Sequence, residues 1–101
     1  MKKIKNIHPG EILKEEFLNE FHITAYKLAK DTNIPPTRIS QIIKGKRSIS
    51  ADTALRFSKY FGTTPDFWLG LQIEYDLREE SSIKAKEIKS IKSLYEIQHT
   101  M

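Results

Sequence analysis

Between Thr24 and Arg47 the chain carries two short helical patterns separated by a break with room only for a turn, and this spacing constrains the fold more than any other feature. Thr24 can cap the free amides of a first helix whose inward face holds Leu28 and Ala29. The small Ala29 lets another helix approach closely. Asp31-Thr32-Asn33 then interrupts the pattern, and Asn33 can take the left-handed conformation that turns usually give to glycine. Pro35 and Pro36 restart the chain as a helix, because proline at the first helical position supplies a suitable φ and gives up an amide that had no intrahelical partner. They also hold Ile34 extended. In this second helix Ile39, Ile42 and Ile43 recur at spacings of three and four and form one buried stripe. Thr37, Ser40, Gln41 and Lys44 are thereby turned outward, with Pro36 and Arg38 at the edges of that face. Gly45 reads as a left-handed cap, and Lys44, Lys46 and Arg47 crowd the exit.

Two helices, a tight turn and a basic exit make the pattern of a helix-turn-helix DNA reader over residues 24–44, with residues 36–44 as the recognition helix. Gln pairs bidentately with adenine, Ser and Thr bond to several bases, and Lys or Arg reaches guanine or phosphate. An ordinary helical bundle with a solvated polar face would show the same periodicity, so charge has to separate the two. From Lys27 to Lys59 there are eight basic residues against only Asp31 and Asp52, although the whole chain has a net charge of just +4. The positive charge is concentrated where the recognition helix lies.

The remaining segments also read as helices, which predicts an all-α, five-helix bundle at residues 8–78 followed by an amphipathic helical tail at 79–101. Helix one starts at Pro9 with Glu11 in its first turn, and Ile12, Leu13, Phe17, Leu18 and Phe21 form its buried side. Helix four follows Ser50, has Ala54, Leu55, Phe57, Ser58 and Phe61 for packing, and stops at Gly62. Helix five opens on Thr64-Pro65-Asp66 and carries two apolar stripes. Phe67, Trp68, Leu71 and Tyr75 make one; Leu69, Ile73 and Leu77 make a second that is the expected homodimer interface. Glu79-Glu80-Ser81-Ser82 reads as a polar break. Beyond it Ile88, Ile91, Leu94 and Tyr95 share one helical face, suited to wrapping the domain, joining the dimer or gripping another protein.

Residues 1–7 read as a basic arm that adds phosphate contacts. With no cysteine there is no disulfide framework or thiolate metal site, and no apolar run approaches the ~20 residues that span a bilayer. A cytoplasmic protein with no membrane association is expected. His8, His22 and His99 are far apart and read as surface or cap residues; no nucleophile motif or phosphate-binding glycine loop occurs. The expectation is therefore no enzymatic activity, no metal, no cofactor and no small-molecule substrate.

The blocks HPGEILKEEFL at 8–18, YKLAK at 26–30, IPPTRISQIIKGKRSISADTALRFSKYFGTTPDFWLGLQ at 34–72 and YDL at 75–77 resemble the HigA-type, or VapI-type, antitoxins of the Xre-like, lambda-repressor-like helix-turn-helix family. The resemblance implies an antidote of a type II toxin–antitoxin module that blocks a HigB-type mRNA-cleaving toxin and, as a dimer, represses the shared operon by binding its double-stranded operator. Solitary repressors without a toxin partner belong to the same family and are the alternative. Carried onto this chain, base reading falls on Pro36, Thr37, Ser40 and Gln41. Phosphate contacts fall on Arg38, Lys44, Lys46 and Arg47, and on Thr24 with the amides of Ala25 and Tyr26. Arg38, at the edge of the face, has the alternative of bridging to an acid inside the bundle. The family pattern does not extend to the tail after Leu77.

Overall fold

In the computed structural model, which describes residues 5–99, proline opens three helices, at Pro9, Pro36 and Pro65. The helices are α1 (Pro9–Ile12, running on as a π-helical stretch over Leu13–Leu18), α2 (Ala25–Thr32), α3 (Pro36–Ile43), α4 (Ala51–Phe61), α5 (Pro65–Ile83), α6 (Ala85–Lys89) and α7 (Leu94–His99). No strand occurs among the described residues. Hydroxyl caps hold the starts of α2, α4 and α5: Lys27 N donates to Thr24 Oγ1 at 3.0 Å, Thr53 N to Ser50 Oγ at 3.2 Å and Phe67 N to Thr64 Oγ1 at 3.2 Å. Asn33 at φ 61° and Gly62 at φ 76° end α2 and α4 in the left-handed region.

The core gathers around Trp68 and Phe57, both fully buried, whose rings meet edge to face at 5.1 Å. Leu13, Leu28, Ile39 and Ile42 bring the other helices onto this pair, and Ala54 joins them from α4. Trp68 keeps its polar edge satisfied, since Nε1 donates to Thr63 Oγ1 at 2.8 Å. Of the basic arm, residues 1–4 lie outside the described residues. Lys5 is engaged with Glu11 at 3.1 Å and Asn6 donates to the Tyr75 carbonyl at 3.0 Å, so this part of the arm is tied to α1 and α5.

Several expectations change. Phe21 is 56% exposed, because the π-helical stretch, with Asn19 N bonding Lys14 O and Ile23 N bonding Leu18 O, shifts the side-chain register away from the 3.6-residue period. Leu55 is also exposed, one residue off the face shared by Ala54, Phe57 and Ser58. On α5 the second stripe divides: Leu69 packs against the core, whereas Ile73 and Leu77 remain exposed. The polar break at 79–82 is helical. Glutamate is a good helix former, and an ion pair of 3.0 Å from Lys84 to Glu80 ties the last turn of α5. The tail instead breaks after α6, where Ser90 Oγ bonds the Glu87 carbonyl and Ser93 Oγ accepts from Glu96 N; these local bonds compete with a continuous helix.

The tail does not wrap its own domain. Ile83, Ile88, Ile91, Leu94 and Tyr95 are each at least half exposed. The radius of gyration is 18.0 Å, against about 13 Å for a compact chain of this length, because the end of α5 and the tail project from the bundle.

One glycine sets where α3 can sit. A Cβ on Gly10 would lie 1.8 Å from the carbonyl oxygen of Ile42, so α1 and α3 touch backbone to backbone at this point. Gly10→Ala is expected to lower unfolding stability by about 1–3 kcal/mol, the usual range for overpacking. Denaturant melts of the two proteins would measure it, and an unchanged midpoint would show that the helices separate without cost.

Candidate nucleic-acid interface

The turn between α2 and α3 is held on three sides. Ile34 is buried with its amide on the Ala29 carbonyl at 3.0 Å, and Asn33 supplies the left-handed reversal. From α4, Arg56 Nη1 donates to the Thr32 carbonyl at 3.0 Å while its Nε grips Asp52. With the turn fixed, Ile39 and Ile42 point into the core and Ile43 is half-buried. The outward face of α3 then consists of exposed Pro36, Thr37, Gln41 and Lys44 and half-buried Ser40. These are the side chains that the sequence placed there.

The end of α3 closes in a Schellman motif. Gly45 N bonds Ile42 O at 3.0 Å and Lys46 N bonds Gln41 O at 2.8 Å, with Gly45 left-handed at φ 75°. This reversal carries Arg47 back beside the helix, where Nη1 donates to Gln41 Oε1 at 3.2 Å.

Charge around the face is sorted by two carboxylates. Asp31 takes Lys27 at 3.0 Å and the Tyr60 hydroxyl at 2.6 Å; these hydrogen bonds, Tyr60's foremost, hold its carboxyl below the usual range. Asp52 takes Arg56 at 3.1 Å and Arg38 at 3.6 Å. Arg38 is thus directed toward α4, the alternative noted from the sequence, rather than standing free for phosphate. Among the described residues Lys44, Lys46 and Arg47 form no ion pair, so a free cationic cluster marks the end of α3.

At the other end, exposed Thr24 and Tyr26 and half-buried Ala25 surround the N-terminus of α2, whose first amides no helix can satisfy internally. Tyr26, Lys30 and Pro36 border a notch of about 390 Å³ between the helices. Lys30 counts among the eight basic residues between Lys27 and Lys59 but was given no contact of its own, though its position one turn after Tyr26 was a signal for it.

Two further residues hold the face from behind. Gln72, buried at 5% exposure, accepts from Ile49 N at 2.8 Å and donates to Asp76 at 2.9 Å, clamping the segment that follows α3. Its place one turn beyond Trp68 marks the buried side of α5. His8 caps α1, its Nδ1 accepting from Gly10 N at 2.9 Å, and its ring meets Tyr75 at 4.8 Å. The Gly45 turn lies against the same ring, where a Cβ would come within 3.6 Å of His8 Cγ. Among the described residues no three His, Asp or Glu side chains group as a metal site, and no helix is long and apolar enough to cross a membrane.

A helix pair with this turn, an outward polar face and a basic exit defines the helix-turn-helix class, and the family model described as Helix-turn-helix matches residues 13–68. The chain is 49% identical to Virulence-associated protein I of Dichelobacter nodosus over 71% of its own length and 67% of that protein's. Among solved structures it is similar to a HigA-family addiction module antidote protein from Coxiella burnetii, with 47% identity, a TM-score of 0.84, and coverage of 89% of this chain and 99% of that one. It is also similar to the Pseudomonas aeruginosa antitoxin HigA with higBA promoter, with 41% identity, a TM-score of 0.85 and the same coverage. The chain belongs to the HigA- or VapI-type antitoxins of the Xre-like helix-turn-helix family.

Burial is the main cause that lowers the His8 pKa below its ordinary value of 6.5, against the opposing pull of Asp76 and Glu11. The folded state therefore favours neutral His8. Its contribution to stability is complete above the unfolded value and is lost as pH falls from there toward the folded value, because the unfolded chain takes up the proton first. Thermal unfolding between about pH 7 and pH 5 is expected to show this loss, and His8→Asn, which keeps a capping oxygen, should reduce it. An equal slope in both proteins would place the titration elsewhere.

Proposed function

We propose that this chain is an antitoxin that binds operator DNA as a dimer through α3 and neutralises a HigB-type mRNA-cleaving toxin. The observation that carries the DNA-binding part is the free Lys44–Lys46–Arg47 cluster beside the outward face of α3, in a chain 41% identical to an antitoxin whose solved structure includes promoter DNA. Pro36, Thr37, Ser40 and Gln41 take the base edges in the major groove. Lys44 and Lys46 take the phosphates, joined by Thr24 and the amides of Ala25 and Tyr26. Arg38 contributes less directly, by bracing α3 on Asp52.

Dimerisation is assigned to the apolar end of α5, where Ile73 and Leu77 are exposed and Leu69 continues their row into the core. A two-fold pair would address half-sites about 34 Å apart. Toxin neutralisation is assigned from the antidote role that the names of the relatives carry, and residues 79–101 are available for it, of which 79–99 form a projecting arm with exposed apolar side chains. Taken with this, residues 8–78 act as the DNA-binding domain.

Two measurements test the reading. Thr37→Ala with Gln41→Ala should lose about 1–3 kcal/mol of discrimination per affected base pair, whereas Lys46→Ala should weaken all sequences alike and reduce the salt slope by about 1. The opposite pattern would reverse the assigned roles. Co-purification from native cells with mass spectrometry should recover a small basic partner protein. Recovery of the chain alone, still bound to its own promoter, would make it a solitary repressor.

A further inference from the structure

We propose that Arg47 acts with Gln41 as one base-reading unit, and that this unit selects guanine. The inference deepens the DNA-binding reading above and rests on it. A free glutamine matches adenine, because its amide offers one donor to N7 and one acceptor to the N6 amino group. In this chain one lone pair of that acceptor already takes a hydrogen from Arg47, which turns the oxygen toward the guanidinium and leaves one lone pair free. Arg47 Nη1 lies 3.2 Å from the Gln41 side chain, and since a guanidinium has donors only, the atom facing it must be the amide oxygen.

The arrangement follows from the backbone. The Schellman motif, with Gly45 at φ 75° and Lys46 N on Gln41 O at 2.8 Å, reverses the chain directly above Gln41 and places the next residue at its side. Lys46 lends its amide to the turn, and Arg47 lends its side chain to the recognition helix. Its partners are consistent with this role, since Arg47 forms no ion pair among the described residues while Asp31 and Asp52 are occupied by Lys27, Arg38 and Arg56.

With the oxygen turned toward Arg47, the unit offers DNA the Gln41 Nε2 hydrogens and the remaining guanidinium hydrogens. These donors outnumber the one acceptor site left, the second lone pair of Gln41 Oε1. In the major groove guanine presents two adjacent acceptors, N7 and O6, while adenine sets its N6 amino group against the incoming donors, cytosine presents a donor, and thymine presents a single acceptor, O4, beside its methyl group. Guanine is therefore the matching base. Arg47 is a specificity residue here, holding the amide in one orientation and adding donors, rather than a general phosphate contact.

The test is binding of the full-length chain to DNA libraries in which each operator position is randomised, using wild type, Gln41→Ala and Arg47→Met. Arg47→Met keeps an extended stem at an exposed position and removes every donor. The expected result is a guanine preference in wild type at one base pair, lost in Gln41→Ala, and moved toward adenine at that same pair by about tenfold or more in Arg47→Met. Uniform weakening by Arg47→Met, with unchanged base preference and a shallower salt dependence, would make Arg47 a phosphate contact; it would overturn this inference and leave DNA binding intact. A wild-type preference for adenine at the Gln41 position would overturn it as well. Absence of any selective binding by wild type would overturn both the inference and the reading beneath it.

Discussion

The seat of α3 on α1 is the contact on which the rest of the structure depends. At Gly10 the backbone of α1 meets the last turn of α3 with no side chain between them, and this closeness lets Ile39 and Ile42 reach the core shared with Trp68 and Phe57. The residue before that contact reinforces it. His8 caps α1 through Gly10 N and lies beneath the Gly45 turn, so the start of α1 and the end of α3 are organised by neighbouring residues. A recognition element needs such rigidity, because base reading depends on side chains held to within a fraction of an ångström.

The electrostatic character of the face comes from subtraction as much as from abundance. The basic residues between Lys27 and Lys59 are not equivalent: Lys27 is matched by Asp31, and Arg38 and Arg56 by Asp52, with Tyr60 adding to the Asp31 site. Of the cations in this stretch that form no ion pair among the described residues, Lys44, Lys46 and Arg47 gather at the end of α3, while Lys30 and Lys59 stand apart on α2 and α4. A modest net charge of +4 can in this way produce a strongly directional field.

Away from this face charged side chains share the surface with exposed apolar ones. Ile73 and Leu77 on α5 and the projecting tail expose more large aliphatic side chains than a protein of this size usually leaves uncovered. The molecule thus combines a basic face on the bundle with an extended amphipathic arm. Bundle stability rests on the former, since the tail contributes no residue to the core.

Much of this was legible in the residues. The caps at Thr24, Ser50 and Thr64, the turn at Asn33, the proline starts and the outward set Thr37, Ser40, Gln41 and Lys44 are local decisions, made by side-chain chemistry and a period of 3.6. The departures arose where the helical period changed or a side chain found a partner that the period does not weigh. The π-helical stretch of α1 turned Phe21 outward, and Glu80 and Lys84 carried α5 through an apparently polar break; for Arg38, between the two roles left open, the packed structure places it beside Asp52 on another helix. Gly10, Gln72 and the pairing of Arg47 with Gln41 involve partners up to 32 residues away, which no local period can register. The amino-acid order by itself determined the helices, their caps and the chemistry of the recognition face, because those depend on neighbours along the chain. Only the tertiary structure decided which cations stay free and what holds α3 in place, because those depend on contacts that exist only once the helices have packed.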